Sequence, residues 1–162
     1  MGCLLDLENL KRERVSLRNS GSLVVFTNGV FDILHRGHCE YLEAARNMGD
    51  ILIVGLNSDA SVRRLRGELK PIVPQEDRAV VLCSLRVVDY VILFDEDTPI
   101  KLISTLLPDV LVKGGDYSID DIVGRREVEH AGGRVLTIPL LPERSSTNII
   151  ATIIERYCKQ NK

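Results

Sequence analysis

The chain has no tryptophan, and aromatic residues make up only 4% of its 162 positions. Its interior must therefore be aliphatic, and it lacks the stacking side chains of a single-stranded nucleic-acid groove. Excess charge of one sign is also missing: 21 Lys and Arg stand against 23 Asp and Glu, a net charge of −2. That balance argues against a nucleic-acid partner, and 44% hydrophobic residues exclude a disordered chain. No apolar run approaches the length needed to span a bilayer, so no membrane partner is expected. Residues 1–20 interleave Leu with Lys, Arg, Glu and Asp, unlike the apolar centre of a signal peptide. The four cysteines, Cys3, Cys39, Cys83 and Cys158, form neither a C-x-x-C pair nor a short Cys/His cluster with zinc spacing. Such scatter fits reduced thiols in a cytoplasmic protein. The chain also contains no G-x-G-x-x-G after its first strand, no G-x-x-x-x-G-K-[ST] and no G-x-S-x-G. Dinucleotide dehydrogenases, P-loop enzymes and serine hydrolases lose support accordingly.

What is present is a succession of short apolar runs alternating with amphipathic segments. Leu23–Thr27, Asp50–Leu56, Tyr90–Phe94, Asp109–Lys113 and Arg134–Ile138 read as strands buried on both faces. Between them, helices are expected over 38–48 closed by Gly49, from Ser58 or Asp59 through Leu65, from Pro74 to Leu85, from Thr98-Pro99 through Leu107, and over 121–131. A last helix should open at Ser145-Ser146-Thr147 and run to about Tyr157, and an N-terminal one should cover about residues 4–18, packed outside the core. Apolar strands alternating with helices imply an α/β fold, a Rossmann-like doubly wound sheet of five parallel strands. With no repeat, linker or low-complexity tract, residues 1–162 read as one domain, with 1–20 a helical extension.

In such a sheet ligands bind beyond the carboxyl ends of the strands. That edge should gather Thr27-Asn28, Asn57-Ser58-Asp59, Phe94-Asp95, Lys113-Gly114-Gly115-Asp116 and the helix start at Ser145. The densest stretch is Phe26 to His38, where a strand runs through a turn to a helix N-terminus, a natural anion site. His35 and His38 flank Gly37, which lets backbone approach a ligand while both imidazoles face it. The plainer reading of these two is a capping histidine and a surface one. Ser145, Ser146 and Thr147 offer hydroxyls and free N–H groups to a phosphate, or serve only as a cap. Lys70 lies in a basic loop and would by default be solvated; Lys113 ends a strand before two glycines, an unusual place for a surface lysine. Asp32 could hold a substrate group, a metal or simply a turn, and Cys39 reads as a small packed residue. No third ligand close in sequence joins the histidines, so no metal centre is expected.

Taken together, Thr27-Asn28-Gly29-Val30-Phe31-Asp32, His35-Arg36-Gly37-His38 and Arg144-Ser145-Ser146-Thr147 resemble the cytidylyltransferase-like nucleotidyltransferases, with their H-x-G-H turn and S-[ST]-T helix start. Asn57-Ser58-Asp59, Glu76-Asp77-Arg78, Phe94 to Pro99 and Val112 to Tyr117 narrow the resemblance to the adenylyltransferases of ADP-heptose synthesis, over about residues 22–157. The resemblance implies transfer of AMP from ATP to D-glycero-β-D-manno-heptose 1-phosphate, with pyrophosphate released and ADP-heptose formed for the lipopolysaccharide core. ATP would be co-substrate, with Mg²⁺ held by its phosphates. It also implies a homo-oligomer with small-molecule substrates. On this pattern His35, His38 and Lys70 carry catalysis. Thr27, Asn28, Gly29, Phe31, Gly37, Lys113, Gly114, Asp116, Arg144, Ser145, Ser146 and Thr147 join the histidines around the nucleotide. Asp32, Asn57, Asp59 and Arg78 fall to the acceptor.

Two other readings stay open at this level. A related cytidylyl- or guanylyltransferase would act on glycerol 3-phosphate or another sugar phosphate, because base choice rests on loop backbone. A non-catalytic nucleotide-binding domain could use the same sheet, since fold does not fix function. A class I tRNA-synthetase remnant would share the histidines, but no K-M-S-K-S-like loop is present.

Overall fold

Aliphatic runs with little alternation can be buried only if helices cover both faces of their sheet. The computed structural model, which describes residues 3–115, 118–139, 141 and 144–158, shows that arrangement. Strands β1 (Cys3–Leu4), β2 (Val24–Gly29), β3 (Ile51–Asn57), β4 (Tyr90–Phe94), β5 (Val110–Gly114) and β6 (Arg134–Ile138) lie in the order β1-β4-β3-β2-β5-β6. All pairings are parallel. The five predicted strands are all there, and β1 adds a two-residue edge beside β4 that is too short to read from sequence.

The helices are α1 (Leu7–Asn19), α2 (Arg36–Arg46), α3 (Asp59–Arg66), α4 (Gln75–Cys83), α5 (Ile100–Leu106), α6 (Arg125–His130) and α7 (Ser146–Ile153). One face of the sheet packs Val25, Leu52, Val54 and Val112 against Tyr41 and Leu42 of α2 and Leu82 of α4. The other packs Val24, Phe26, Ile53 and Leu111 against Leu10 and Leu17 of α1, Ile103 of α5 and Val128 of α6. Alternating residues of one strand thus serve opposite layers, as the pleat requires.

Several boundaries differ from expectation for identifiable reasons. Helix α1 packs into the core rather than outside it: Leu10 is fully buried and Leu17 nearly so, while Val15 is exposed. The buried Arg14 on the same stripe donates to the carbonyls of Leu106 (3.1 Å) and Leu107 (2.9 Å) and pairs with Asp109. The helix expected over 121–131 is a 3₁₀ turn, Ile119–Asp121, followed by α6. Gly124 separates them at φ +88°, where an added Cβ would stand 2.6 Å from Ile103. Helix α2 starts two residues earlier than predicted and is capped by Asn47, not Gly49. Helix α7 passes into a π-helical turn over Ile154–Cys158.

The sheet's two edges differ in charge. At the amino edge, carboxylates bind first-strand N–H groups: Asp50 accepts from Leu23 (2.8 Å), Asp89 from Leu52 (2.7 Å) and Asp109 from Val24 (2.8 Å). At the carboxyl edge the chain turns away from β2 in two directions, towards β3 and towards β5. That switch point opens a crevice.

Candidate active site

Strand β2 delivers Asn28 and Gly29 to this crevice, and the next six residues form the turn into α2. Phe31 (φ +49°) and Ile33 (φ +48°) both adopt the left-handed region, costly for any residue with a Cβ and most of all for a β-branched one. Three contacts hold the turn there. The carboxylate of Asp32, 5% exposed, accepts the N–H groups of Ile72 and Val73, each at 2.9 Å. The guanidinium of Arg78, 2% exposed, donates to the carbonyls of Val30 (2.5 Å) and Val73 (2.9 Å) and to Asp59 (2.6 Å). The hydroxyl of Ser146 donates to the Asp32 carbonyl at 2.5 Å.

The turn sets the two histidines at the start of α2. His35 is the N-cap residue, with extended backbone and no side-chain cap bond. Its ring folds over Gly37, where a Cβ would lie 3.1 Å from the imidazole and 3.2 Å from Arg144 Cβ, so any larger residue would push the ring or Arg144 aside by a few tenths of an ångström. The rings of His35 and His38 stack with centroids 3.9 Å apart and planes at 23°, and Phe31 meets His38 edge-on at 5.3 Å. The Nδ1 atom of each histidine is buried with no hydrogen-bond partner among the described residues. Burial lowers the pKa of His35; burial first and then the neighbouring His35 lower that of His38 to about 4, with Asp32 opposing. Without ligand the pair is neutral near pH 7. Two buried ring nitrogens without partners are costly unless something else meets them.

The two histidines are among the residues lining a cavity of about 550 Å³. Of the residues singled out in the sequence, Asn28, Gly29, Phe31, Asp32, His35, Gly37, His38, Lys70, Lys113, Gly114, Arg144, Ser145, Ser146 and Thr147 line it. Lys70 stands 3.9 Å from Asp32, and Lys113 donates to Asn28 Oδ1 at 3.1 Å. Burial lowers the Lys113 pKa, and the nearby Arg66 adds to the effect. Ser145 caps α7, its hydroxyl accepting the Asn148 N–H at 3.1 Å. Helices α1, α3, α4 and α6 each carry an acid in the first turn; α2, α5 and α7 carry none, and of these α2 and α7 have N-termini that meet the cavity. Four cations, Arg66, Lys70, Lys113 and Arg144, oppose one carboxylate, Asp32, among the described lining residues. The arrangement suits a multiply charged anion.

Four expected residues lie elsewhere. Thr27 is fully buried, its hydroxyl 2.5 Å from that of Tyr41, beneath the cavity floor. Asn57, 4% exposed, donates to Ser61, and Asp59 is engaged by Arg78. Arg78 itself is a strut between loops. Expected to meet the acceptor, Asn57, Asp59 and Arg78 direct polar groups into the scaffold: Asn57 to Ser61 in the first turns of α3, and Asp59 and Arg78 to one another across segments that sequence spacing does not connect. Asp32 reaches the cavity, and its two oxygens accept the Ile72 and Val73 N–H groups of the neighbouring loop. Asp116 lies outside the described residues. Sequence reasoning missed Arg66, visible there only as part of a basic segment, and Val62, Tyr41 and Leu141. No group of three or more His, Cys, Asp or Glu gathers where it could hold a metal among the described residues.

The family model for cytidylyltransferase-like proteins matches residues 26–152, most of the chain and all of this cavity's described walls. The chain belongs to that family. Its members are nucleotidyltransferases, and this is an enzyme of that class. The chain is 56% identical over 160 residues to the bifunctional protein HldE of Syntrophotalea carbinolica, covering 94% of this chain and 33% of the relative. To the bifunctional protein HldE of Geobacter sulfurreducens it is 58% identical over 137 residues, covering 85% and 28%. The chain thus spans about a third of the length of the curated relatives it matches. Among solved structures, a lipopolysaccharide core biosynthesis protein from Thermoplasma volcanium is 32% identical with TM-score 0.61, covering 75% of this chain and 98% of that one. A pantoate-β-alanine ligase from Francisella tularensis, 16% identical with TM-score 0.63 and covering 99% and 80%, shares the fold. No helix among the described residues is long and apolar enough to cross a membrane.

Proposed function

We propose that the chain transfers AMP from ATP to D-glycero-β-D-manno-heptose 1-phosphate, releasing pyrophosphate and forming ADP-heptose for lipopolysaccharide core synthesis. The observation that carries this reading is the stacked pair His35 and His38 lining a cavity in which Arg66, Lys70, Lys113 and Arg144 outnumber the one carboxylate, Asp32. Support for the substrate comes from the HldE relatives and from the lipopolysaccharide core protein of Thermoplasma volcanium.

A sugar phosphate oxygen is already a nucleophile, so it attacks the α-phosphorus of ATP as the bond to pyrophosphate breaks, with no intermediate on the enzyme. What remains for the protein is positioning and neutralisation of charge on the phosphoryl oxygens. His35 and His38 donate to the triphosphate at the α-phosphorus, Lys70 covers it from its loop, and Thr147 with the α7 N-terminus receives the leaving phosphates. Asp32 is occupied by the Ile72 and Val73 N–H groups, so the residues here build no carboxylate cage. Mg²⁺ therefore fits as an ion carried on the phosphates, and when bound it would supply neutralisation of phosphate charge. The reading includes a cytoplasmic reaction by residues 1–162 as one unit. It also includes a homo-oligomer of this chain.

Pyrophosphate release over a grid of nucleoside triphosphates and sugar or polyol phosphates tests the proposal. Release confined to ATP with the heptose 1-phosphate is expected; release with CTP and glycerol 3-phosphate would reassign the substrates, and none anywhere would leave a binding domain. In the same assay His38→Ala should abolish turnover while the melting curve stays cooperative; near-normal release would sink the mechanism.

A further inference from the structure

The histidines and Lys113 reach the cavity from opposite faces of the sheet. In β2, Val25 packs in the layer of α2 and α4, whereas Val24 and Phe26 pack in the layer of α1, α5 and α6. In β5, Val110 and Val112 belong to the first layer and Leu111 to the second. Alternation therefore puts Asn28 and Lys113 on the side of the second layer, and their 3.1 Å hydrogen bond agrees. His35 and His38 stand on α2, in the first layer.

Arg66 belongs with Lys113. It is the last residue of α3, which follows β3 on the other flank of β2, and it is exposed on the cavity wall. Its neighbour Arg64 is paired with Asp97 at 2.8 Å, but Arg66 pairs with no carboxylate among the described residues. Its charge adds to burial in depressing Lys113. Two cations that approach one another without a counter-ion repel, and a phosphate monoester relieves both: the guanidinium fork takes two oxygens and the ammonium another.

We infer that Arg66 and Lys113 form the subsite for the phosphate of the acceptor, separate from the groups that hold the triphosphate. The inference rests on the nucleotidyl transfer proposed above. In-line displacement puts nucleophile and leaving group on opposite sides of the α-phosphorus. His35, His38, Lys70 and the α7 N-terminus serve the triphosphate from one side. Arg144, whose Cβ lies beside Gly37, belongs with the histidines, so the acceptor phosphate enters from the other side, where Arg66 and Lys113 are the remaining lining cations among the described residues.

Steady-state kinetics of Arg66→Gln, with each substrate varied in turn, test this. Because Arg66 is exposed and unpaired, the variant should keep the wild-type melting temperature. Its KM for the sugar phosphate should rise about tenfold or more, the usual cost of a lost bond to a charged group, with the KM for ATP within about twofold. Arg66→Lys should recover part of the loss, and Lys113→Gln should repeat the pattern. A rise in the KM for ATP, or no change in either constant, overturns the subsite while leaving the transferase reading intact. A wild-type protein that turns over no sugar phosphate overturns both.

Discussion

His38 lies under two opposing demands, because it must sit against Phe31 and His35 in a site poor in water and yet meet a phosphate. Burial keeps it neutral, with its pKa lowered to about 4, and His35 is lowered for the same reason. The folded values lie below those of the unfolded chain, so the unfolded state binds more protons over the interval between them. The resulting stability is fully present above about pH 6.5 and is lost as pH falls towards 4. Melting temperatures of the ligand-free protein across that interval should decline, and His38→Asn should flatten the decline; parallel curves would refute this. A triphosphate reverses the balance, because an anion beside the imidazoles favours their charged form. At pH 5.5 its binding should be accompanied by proton uptake, measurable by calorimetry in buffers of different ionisation heat.

The turn between β2 and α2 cannot hold two left-handed non-glycine residues unaided, and the loop before α4 over-determines it. Asp32 and Arg78 cross-connect these segments, so that Lys70 is carried to the cavity by the same bonds that shape the histidine turn. Asp32→Ala would leave the Ile72 and Val73 N–H groups without acceptors and should cost about 1–3 kcal/mol of stability. Asp32→Asn, which keeps one carbonyl oxygen, should cost less; urea unfolding of both variants checks the order. This dependence explains what could be read in advance. The histidine turn and the Ser145 helix start were visible because their chemistry is local, within a few residues. Asp59 and Arg78 looked like ligands for acceptors because the bonds that occupy them run to one another and to Val30, in segments well apart along the chain. Helix α1, expected outside the core, buries Leu10, Arg14 and Leu17, and the partners that hold this stripe, such as the Leu106 carbonyl, lie far along the chain. The strands were read correctly because continuous aliphatic runs admit few alternatives once helices alternate with them.

At the scale of the whole molecule, the two edges of the sheet divide the work. Carboxylates at the amino edge tie strand to strand, and cations with two acid-free helix starts occupy the carboxyl edge. Stability is concentrated in the layers between, where Leu10, Phe26, Leu42 and Ile103 are fully buried. Helix α7 stands apart from that reserve: none of its residues is buried, although its first turn supplies Ser146 and Thr147 to the cavity. Opening it exposes little apolar surface, so its amide protons should exchange with solvent through a local fluctuation far below the global unfolding free energy. Those of β2 and β3 should exchange only through global unfolding. Mass spectrometry of deuterium uptake should find α7 the first helix to label, and ATP should slow it far more than it slows the central strands. Equal slowing everywhere would contradict this hierarchy. The segment that greets the phosphates is thereby the one whose order depends most on their arrival.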